Sequence, residues 1–188
     1  MTSIDDRRLL LAIARDAIAA HVRRSAMTPP ALTGAAAQPG GAFVSLHLGD
    51  DLRGCIGHIE PDDLVGYIVA RCAVAAASTD PRFPPVEEPE LVGLAIELSL
   101  LGPLEPIEGP DEITIGRHGL LVERGWRRGL LLPQVATEWD WTAEVFLTHT
   151  CRKAGLPQDA WRSGARLWRF EAEVFGEAAQ GGAGRQGR

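Results

Sequence analysis

The chain has 188 residues, which suits one domain or a large domain with a small appendage. Its hydrophobic content of 45% and charged content of 23% are those of a globular protein that buries a core. The net charge of −6 argues against nonspecific binding to nucleic acid. No apolar run approaches the roughly 18 residues that cross a bilayer, and no signal peptide is recognisable. Three widely spaced cysteines do not form a disulfide framework, so we expect a cytoplasmic protein.

Hydrophobic periodicity and the positions of proline and glycine predict the elements of the first half. The segment 27–41 is rich in proline, glycine and alanine and is expected to be a loop. The helix that follows the first hairpin is expected to begin near Asp62 or Asp63 and to end at Thr79-Asp-Pro-Arg-Phe-Pro-Pro85, because proline blocks helical continuation. The predicted elements are a helix at 4–23, strands at 43–48 and 52–59, and a helix at 62–78.

The second half alternates between strands and helices without regular βαβ repetition. Its predicted elements are strands at 94–100, 119–123 and 129–132, a helix at 141–154 and a strand at 166–175. This order favours an α+β fold in which mixed or antiparallel sheets pack with helices. We expect one domain over residues 4–176 and a disordered tail at 177–188, which holds four glycines and no large apolar side chain.

The first predicted hairpin collects polar side chains on one face. With Gly49-Asp50-Asp51 as a three-residue loop, the expected pairs are Leu48–Leu52, His47–Arg53, Leu46–Gly54, Ser45–Cys55 and Val44–Ile56. Strand alternation then assigns to the core Val44, Leu46, Leu48, Leu52 and Ile56. The opposite face holds Ser45, His47, Arg53 and Cys55, with Gly57 beside them.

Cys55 is the most informative residue of that polar face. Gly54 and Gly57 leave the strand bare, so a ligand or another backbone can approach closely. Arg53 and a diagonal imidazolium of His47 would both favour a thiolate. Three interpretations stay open: a nucleophile, a small buried residue, or a pocket wall beside an Arg53 that binds phosphate or carboxylate. A metal site is not favoured, because no second Cys or His lies at ligand spacing.

Two later segments carry further candidate residues. In Ile115-Gly-Arg-His-Gly119, glycines flank a basic pair that either faces an anion or forms a plain turn. Gln134 and Glu138 are four residues apart and share one face if this segment is helical. Glu138 is then a general base or a partner of an arginine, unless the segment is a solvated loop.

Four motifs in this order resemble the AMMECR domain family, whose prokaryotic members are called AmmeMemoRadiSam system protein A. The motifs are Leu52-Arg-Gly-Cys-Ile-Gly57, Asp80-Pro-Arg-Phe-Pro-Pro85, Ile115-Gly-Arg-His-Gly119 and Leu131-Leu-Pro-Gln-Val-Ala136. The resemblance runs from about residue 5 to residue 176, and its first hexapeptide is highly specific. His58 departs from the pattern, since threonine is common at that place, so no role is inherited there.

The resemblance implies a cytoplasmic α+β protein with a larger and a smaller domain that face each other across a cleft. It further implies association with Memo-like and radical S-adenosylmethionine proteins, and a nucleotide- or nucleic-acid-related role in a modification pathway. No reaction is implied. The cleft residues that it carries over are Arg53, Gly54, Cys55, Gly57, His118, Gln134 and Glu138.

Two hypotheses therefore remain. One is a binding protein that presents a nucleotide-like or other anionic ligand to partner enzymes, which we favour because no motif completes a catalytic triad. The other is an enzyme whose Cys55 thiolate attacks a small electrophilic substrate, with His47, His118 or Glu138 transferring protons. The sequence names neither the ligand nor the oligomeric state.

Overall fold

A computed structural model describes residues 2–28 and 31–177 and confirms the α+β fold. The described residues form four α-helices and seven β-strands, which are α1 Ile4–Val22, β1 Gly41–Leu48, β2 Asp51–His58, α2 Val65–Ser78, β3 Leu94–Leu101, β4 Glu105–Ile107, β5 His118–Arg124, β6 Arg127–Leu131, α3 Pro133–Glu138, α4 Ala143–Lys153 and β7 Arg166–Gly176. None of these helices combines the length and apolar composition that crossing a membrane requires.

The described residues fall into two compact units. The first unit contains the chain up to Leu100 and from Glu173 onward, and the second unit is Leu101–Ala172. In the first unit the strands are ordered β2-β1-β3-β7, so β2 is an edge strand. In the second unit the order is β7-β5-β6, and β4 also pairs with β7.

The first unit is built on α1 and α2, which pack against β1 and β3. The predicted amphipathic helix at the N-terminus is confirmed as α1. Its N-cap is Ser3, whose hydroxyl accepts the N–H of Asp6. Fully buried side chains from the two helices and two strands form one core, including Leu10, Ile18, Val44, Leu46, Ile68, Ile96 and Leu98. Burial of these apolar residues is the main force that holds the first unit together.

Helix α2 begins later than the sequence predicts. The expected start lies at Asp62 or Asp63, whereas the first helical residue is Val65. Leu64 precedes it in extended conformation and forms an isolated β-bridge with Pro39. This bridge keeps the backbone extended up to Leu64, so the helix can begin only after that residue. The carboxylate of Asp63 instead accepts the N–H of Leu64 at 2.8 Å.

The loop of the first hairpin is shorter than predicted. Leu48 lies opposite Asp51, so the loop consists of Gly49 and Asp50 rather than three residues. Gly49 has a φ of +61°, a left-handed conformation that glycine adopts at little cost. A shorter loop shifts the pairing by one residue at this end of the hairpin.

A β-bulge restores the predicted register further along. Between the pairs Leu46–Gly54 and His47–Leu52, residue Arg53 is the extra residue on β2. The predicted pairs Leu48–Leu52 and His47–Arg53 are therefore wrong, and those confirmed are Leu46–Gly54, Ser45–Cys55 and Val44–Ile56. Leu52, which was expected in the core, lies before the bulge and is exposed.

Gly54 is required by helix packing rather than by an open surface. A Cβ atom at this position would lie 2.2 Å from the carbonyl oxygen of Ala76 in α2. Gly54 is buried on the core side of β2, so the helix backbone occupies the space that a side chain would need. Of the two close approaches predicted at Gly54, a ligand or another backbone, the structure shows the second, and the backbone is that of α2.

The second unit has its own core between its sheet and α4. Its buried apolar residues include Ile107, Leu120, Val122, Phe146, Leu147 and Leu167. The predicted hairpin is confirmed as β5 and β6, which pair in register from Leu120–Leu131 to Arg124–Arg127. The helix predicted at 141–154 is confirmed as α4, with Thr142 as its N-cap.

The predicted tail begins with a residue that is anchored. The backbone N–H of Glu177 donates to the carbonyl oxygen of Ile96 at 2.9 Å. The Glu177 carboxylate forms an ion pair with Arg15. The remainder of the predicted tail, residues 178–188, lies outside the described residues.

Gly54→Ala is expected to lower the free energy of unfolding by about 1–3 kcal/mol, because a backbone carbonyl cannot move away as cheaply as a side chain. Urea unfolding measures the change. Gly93→Ala is the control, since its Cβ would lie 3.6 Å from Leu48 Cδ2 at ordinary contact distance. Equal stability of Gly54→Ala and the control would contradict the close approach of α2.

Candidate functional site

In the described part of the chain no strand pairs with the outer side of the edge strand β2, and at Cys55 side chains bind its backbone groups on that side. The N–H of Cys55 donates to Oδ2 of Asp80 at 2.8 Å. The carbonyl oxygen of Cys55 accepts from Nη2 of Arg82 at 3.1 Å. Asp80 and Arg82 therefore take the place of a neighbouring strand at Cys55, and leave neither of its backbone groups free at the edge.

Asp80 and Arg82 are also bound to each other, so they act as a unit. The guanidinium of Arg82 donates from Nε to Oδ1 of Asp80 at 3.0 Å and from Nη2 to Oδ2 at 2.7 Å. The Arg82 N–H adds a third bond to Oδ1 at 3.1 Å. We call these two residues the Asp80–Arg82 clamp. Such a two-pronged arginine–carboxylate pair fixes the plane of the guanidinium.

The hydrogen bonds of the clamp favour the ionised carboxylate of Asp80 and the protonated guanidinium of Arg82. The Asp80 side chain is only 2% exposed. The hydrogen bond from Arg82 nevertheless holds the pKa of Asp80 well below its usual range, and bonds from the N–H groups of Cys55 and Arg82 add to this effect. The same hydrogen bond raises the pKa of Arg82, with a smaller contribution from Cys55.

Arg82 keeps binding capacity despite these bonds. Its side chain is 53% exposed, and its Nη1 has no acceptor among the residues that the structure describes. The guanidinium carbon lies 5.4 Å from the centre of the Phe83 ring. A fixed guanidinium with a free nitrogen beside an aromatic ring can bind an anionic or planar group.

The Cys55 thiol lies on the same stretch of β2. It is half-buried, and the Ser45 hydroxyl donates to Sγ at 3.3 Å across the hairpin. Because the N–H and C=O of Cys55 face Asp80 and Arg82, Ser45 and Cys55 form a pair without mutual backbone bonds. The side chains of such pairs approach each other closely. The predicted contact of Ser45 with Cys55 is therefore present.

The other two thiols differ from Cys55. All three cysteines are free, and both Cys72 and Cys151 are buried. Burial raises the pKa of Cys72 to about 11 and also raises the pKa of Cys151. Both therefore stay protonated and inert at neutral pH. Among the described residues, no group of three or more His, Cys, Asp and Glu side chains is arranged to hold a metal.

The side chain of Arg53 donates hydrogen bonds to other parts of the protein rather than to a ligand. Its side chain is only 12% exposed. Nε and Nη2 donate to the Glu90 carboxylate at 2.7 and 3.1 Å. Nη1 donates to the carbonyl oxygen of Pro84 at 2.7 Å, and Nη2 donates to that of Pro85 at 3.1 Å. The predicted role of Arg53 as an anion clamp is thus at odds with the structure, because its three nitrogens already bind protein acceptors.

Gly57 does not leave the strand bare. It lies opposite Phe43 on β1, and a Cβ atom there would be 2.2 Å from Phe43 Cδ1. The ring of Phe43 thus covers Gly57, which replaces the expected opening for a ligand. Glycine beside an aromatic residue on the neighbouring strand is a recognised way to pack a sheet.

His47 lies two residues from Ser45, on the other side of the bulge. Its partner across the hairpin is Leu52 rather than Arg53, as the shifted register requires. His47 is half-buried. Its role as a proton acceptor for Cys55 stays a prediction.

The remaining candidate residues belong to the second unit. His118 is the first residue of β5 and is buried. Gln134 and Glu138 lie on α3, so the predicted helical spacing is confirmed. Gln134 is half-buried and Glu138 is exposed. Their roles in ligand binding and proton transfer stay predictions.

The sequence reading missed Asp80 and Arg82 as site residues. The segment Asp80–Pro85 is predicted to end a helix and matches a family motif, but neither prediction gives Asp80 or Arg82 a role in a site. The sequence nevertheless contained a signal for a role of Asp80 and Arg82. Proline alone is enough to end a helix, so an aspartate and an arginine in the same family motif indicate a further function. The structure shows that this motif and Leu52–Gly57 are bonded to each other through Cys55 and Arg53.

Asp80→Asn is expected to lower the free energy of unfolding at neutral pH by roughly 1–3 kcal/mol, because Arg82 loses its charged partner. The folded-state pKa of Asp80 is depressed, so its contribution is present above the ordinary carboxyl pKa and is lost as the pH falls through the folded-state value. The difference between parent and variant should therefore shrink below about pH 4.

Denaturant unfolding at several pH values measures this difference. The control is Glu88→Gln, which removes an exposed ion pair with Arg23 and should change stability by less than about 1 kcal/mol. A difference that does not depend on pH would contradict a stabilising charge on Asp80.

The chain is similar to known proteins over most of its length. The model of the AMMECR1 family matches residues 11–175. A protein of Methanothermobacter thermautotrophicus is 47% identical over 184 residues, which cover 93% of this chain and 96% of that protein. A protein of Thermococcus gammatolerans is 44% identical over 185 residues and covers 89% of this chain and 88% of its own length.

A solved structure agrees with the fold. The crystal structure of the uncharacterized protein PH0010 from Pyrococcus horikoshii is similar with a TM-score of 0.83 and 40% identity, and covers 90% of both chains. The family model spans most of this chain, and the relatives match over nearly their whole length. The resemblance drawn from the four motifs is confirmed, and the chain belongs to the AMMECR1 family.

Proposed function

We propose that this protein binds a small anionic, nucleotide-like ligand and acts as an accessory component of a modification pathway. The observation that supports this proposal is the state of Arg82. Its guanidinium is held in one plane by Asp80 and is half-exposed, and its Nη1 has no acceptor among the described residues. Little side-chain entropy is then lost when an anion binds.

The neighbours of Arg82 suit a nucleotide-like ligand. The Phe83 ring beside the guanidinium offers a face on which a base can stack. The Ser45 hydroxyl and the Cys55 thiol are polar groups on the same hairpin. In this proposal Arg82 takes over the role in anion binding that the sequence assigned to Arg53.

The pathway part of the proposal rests on the family resemblance. The resemblance implies a link to Memo-like and radical S-adenosylmethionine proteins and a cytoplasmic location, where the three free cysteines would stay reduced. Co-purification with tagged Memo-like and radical S-adenosylmethionine proteins tests the link. Recovery with neither protein would contradict it.

The binding proposal is tested with AMP as the probe, by isothermal titration calorimetry. Arg82→Ala is expected to weaken AMP binding by roughly tenfold or more, since it removes a hydrogen-bonded charge from the phosphate. Arg82→Lys should be intermediate, because it keeps the charge and loses the planar fork. Cys55→Ser should bind AMP nearly as well as the parent.

Arg23→Ala is the matched control, since it removes an exposed arginine of the first unit. Circular dichroism of each variant verifies folding. The proposal fails if the parent does not bind AMP, or if Arg82→Ala binds it as tightly as Arg23→Ala does.

The second candidate function is an enzyme that uses Cys55 as nucleophile on a small electrophilic substrate. The observation that favours it is the hydrogen bond from Ser45 to Sγ of a thiol that is only half-buried. A hydroxyl donor stabilises negative charge on sulfur, and the guanidinium of Arg82 adjoins the same residue. His47 and Glu138 stay the predicted proton-transfer residues.

Alkylation by iodoacetamide tests the thiol. We expect Cys55 to react in the folded protein, whereas Cys72 and Cys151 react only after unfolding because they are buried. Ser45→Ala should slow the reaction of Cys55. Peptide mass spectrometry measures each rate. If Cys55 reacts no faster than the thiol of a short peptide, the nucleophile hypothesis is wrong.

A further inference from the structure

The second unit contains a cavity of about 500 Å³ that is separate from the Asp80–Arg82 clamp. Charged and polar side chains contribute to its lining, among them Glu105, Arg117, His118, Arg169 and Glu171. A volume of this size is typical of a small-molecule site.

His118 has a defined proton in this cavity. Its side chain is buried, with 6% of the residue exposed, and Nδ1 accepts the backbone N–H of Thr114 at 3.0 Å. A backbone N–H can only donate, so the proton of the neutral imidazole must be on Nε2. No acceptor for this Nε2–H is found in the part of the chain that the structure describes. This N–H is not sealed from solvent, so it is free to donate to a group that is bound in the cavity.

The charges around His118 keep it neutral. Burial lowers the pKa of His118, and the guanidinium groups of Arg169 and Arg117 lower it further. The carboxylates of Glu171 and Glu105 act in the opposite direction but more weakly. His118 is therefore a neutral donor at physiological pH rather than a cation.

The two arginines at the cavity, Arg169 and Arg117, differ in how many of their nitrogens donate hydrogen bonds to the protein. Arg169 donates from Nε to Glu105 at 3.0 Å and from Nη1 to the carbonyl oxygen of Glu112 at 2.6 Å. Among the described residues, Arg117 has Glu171 as its one side-chain hydrogen-bonding partner, through Nε at 2.7 Å and Nη2 at 2.6 Å. Its Nη1 has no acceptor among the described residues. Arg117 is also 66% exposed, so it can turn towards a ligand.

We propose that this cavity binds a small oxyanion, a carboxylate or phosphate group, which accepts hydrogen bonds from Nε2 of His118 and Nη1 of Arg117. Both uncommitted groups are donors, so the atom that they recognise is an acceptor. Glu105 and Glu171 already pair with arginines, which offsets their repulsion of an anion. This site is independent of the proposed function at Arg82.

NMR of the imidazole C–H resonances tests the site in the full chain, with His118→Gln used to assign the His118 signal. Acetate and inorganic phosphate are the probes, and acetamide is the neutral counterpart of acetate. We expect acetate or phosphate, but not acetamide, to shift the His118 signal at millimolar concentration. A bound anion should also raise the pKa of His118, because it stabilises the imidazolium.

Arg117→Ala should weaken this response severalfold, whereas Arg152→Ala removes an exposed arginine of the same unit and should leave it unchanged. Stronger binding of phosphate than of acetate would assign the site to phosphate groups, and the reverse to carboxylates. Equal shifts with acetamide, no shift with either anion, or an Arg117→Ala response equal to that of the parent would overturn the proposal. Arg82→Ala should not alter the His118 response, so the two proposals can fail separately.

Discussion

The hydrogen bonds between Cys55 and the Asp80–Arg82 clamp are the constraint on which the candidate site depends. An edge strand exposes unpaired N–H and C=O groups that invite association with other chains. Here a carboxylate and a guanidinium complete those bonds at Cys55, and each stabilises the charge of the other. One arrangement therefore closes the edge, fixes the cysteine backbone and orients a half-exposed cation.

The sequence indicated only Arg53 for anion binding at this hairpin, whereas the structure shows two arginines, Arg53 and Arg82, with different roles. Arg53 is nearly buried and binds Glu90 and the carbonyl groups of the Pro84–Pro85 segment, so it joins the hairpin to the chain that follows α2. That segment includes Arg82, whose Nη1 has no acceptor in the described part of the chain. Gly54 admits α2 closely against β2, which brings the end of the helix and the clamp next to Cys55. The structural arginine and glycine thus position the arginine that is able to bind a ligand.

Local patterns predicted much of this arrangement. Alternation placed Ser45 opposite Cys55, and periodicity predicted α1, α4 and the second hairpin. The bulge at Arg53 could not be predicted, because loops of two and three residues both fit Gly49-Asp50-Asp51 until the pairing is known. The partners of Arg53 lie 31–37 residues away, and strand alternation says nothing about contacts of such separation. The pairing of Asp80 with Arg82 could have been predicted, because an acidic residue stands two positions before an arginine in a specific motif.

The most direct test of this account is amide hydrogen exchange at Cys55 in the parent and in Asp80→Ala. If the clamp completes the edge strand, the Cys55 amide is protected in the parent and exchanges much faster in the variant, while the Val44 amide on the inner strand β1 stays protected in both. Equal protection of the Cys55 amide in the two proteins would contradict the account, since Asp80 would then not hold the strand that carries the cysteine.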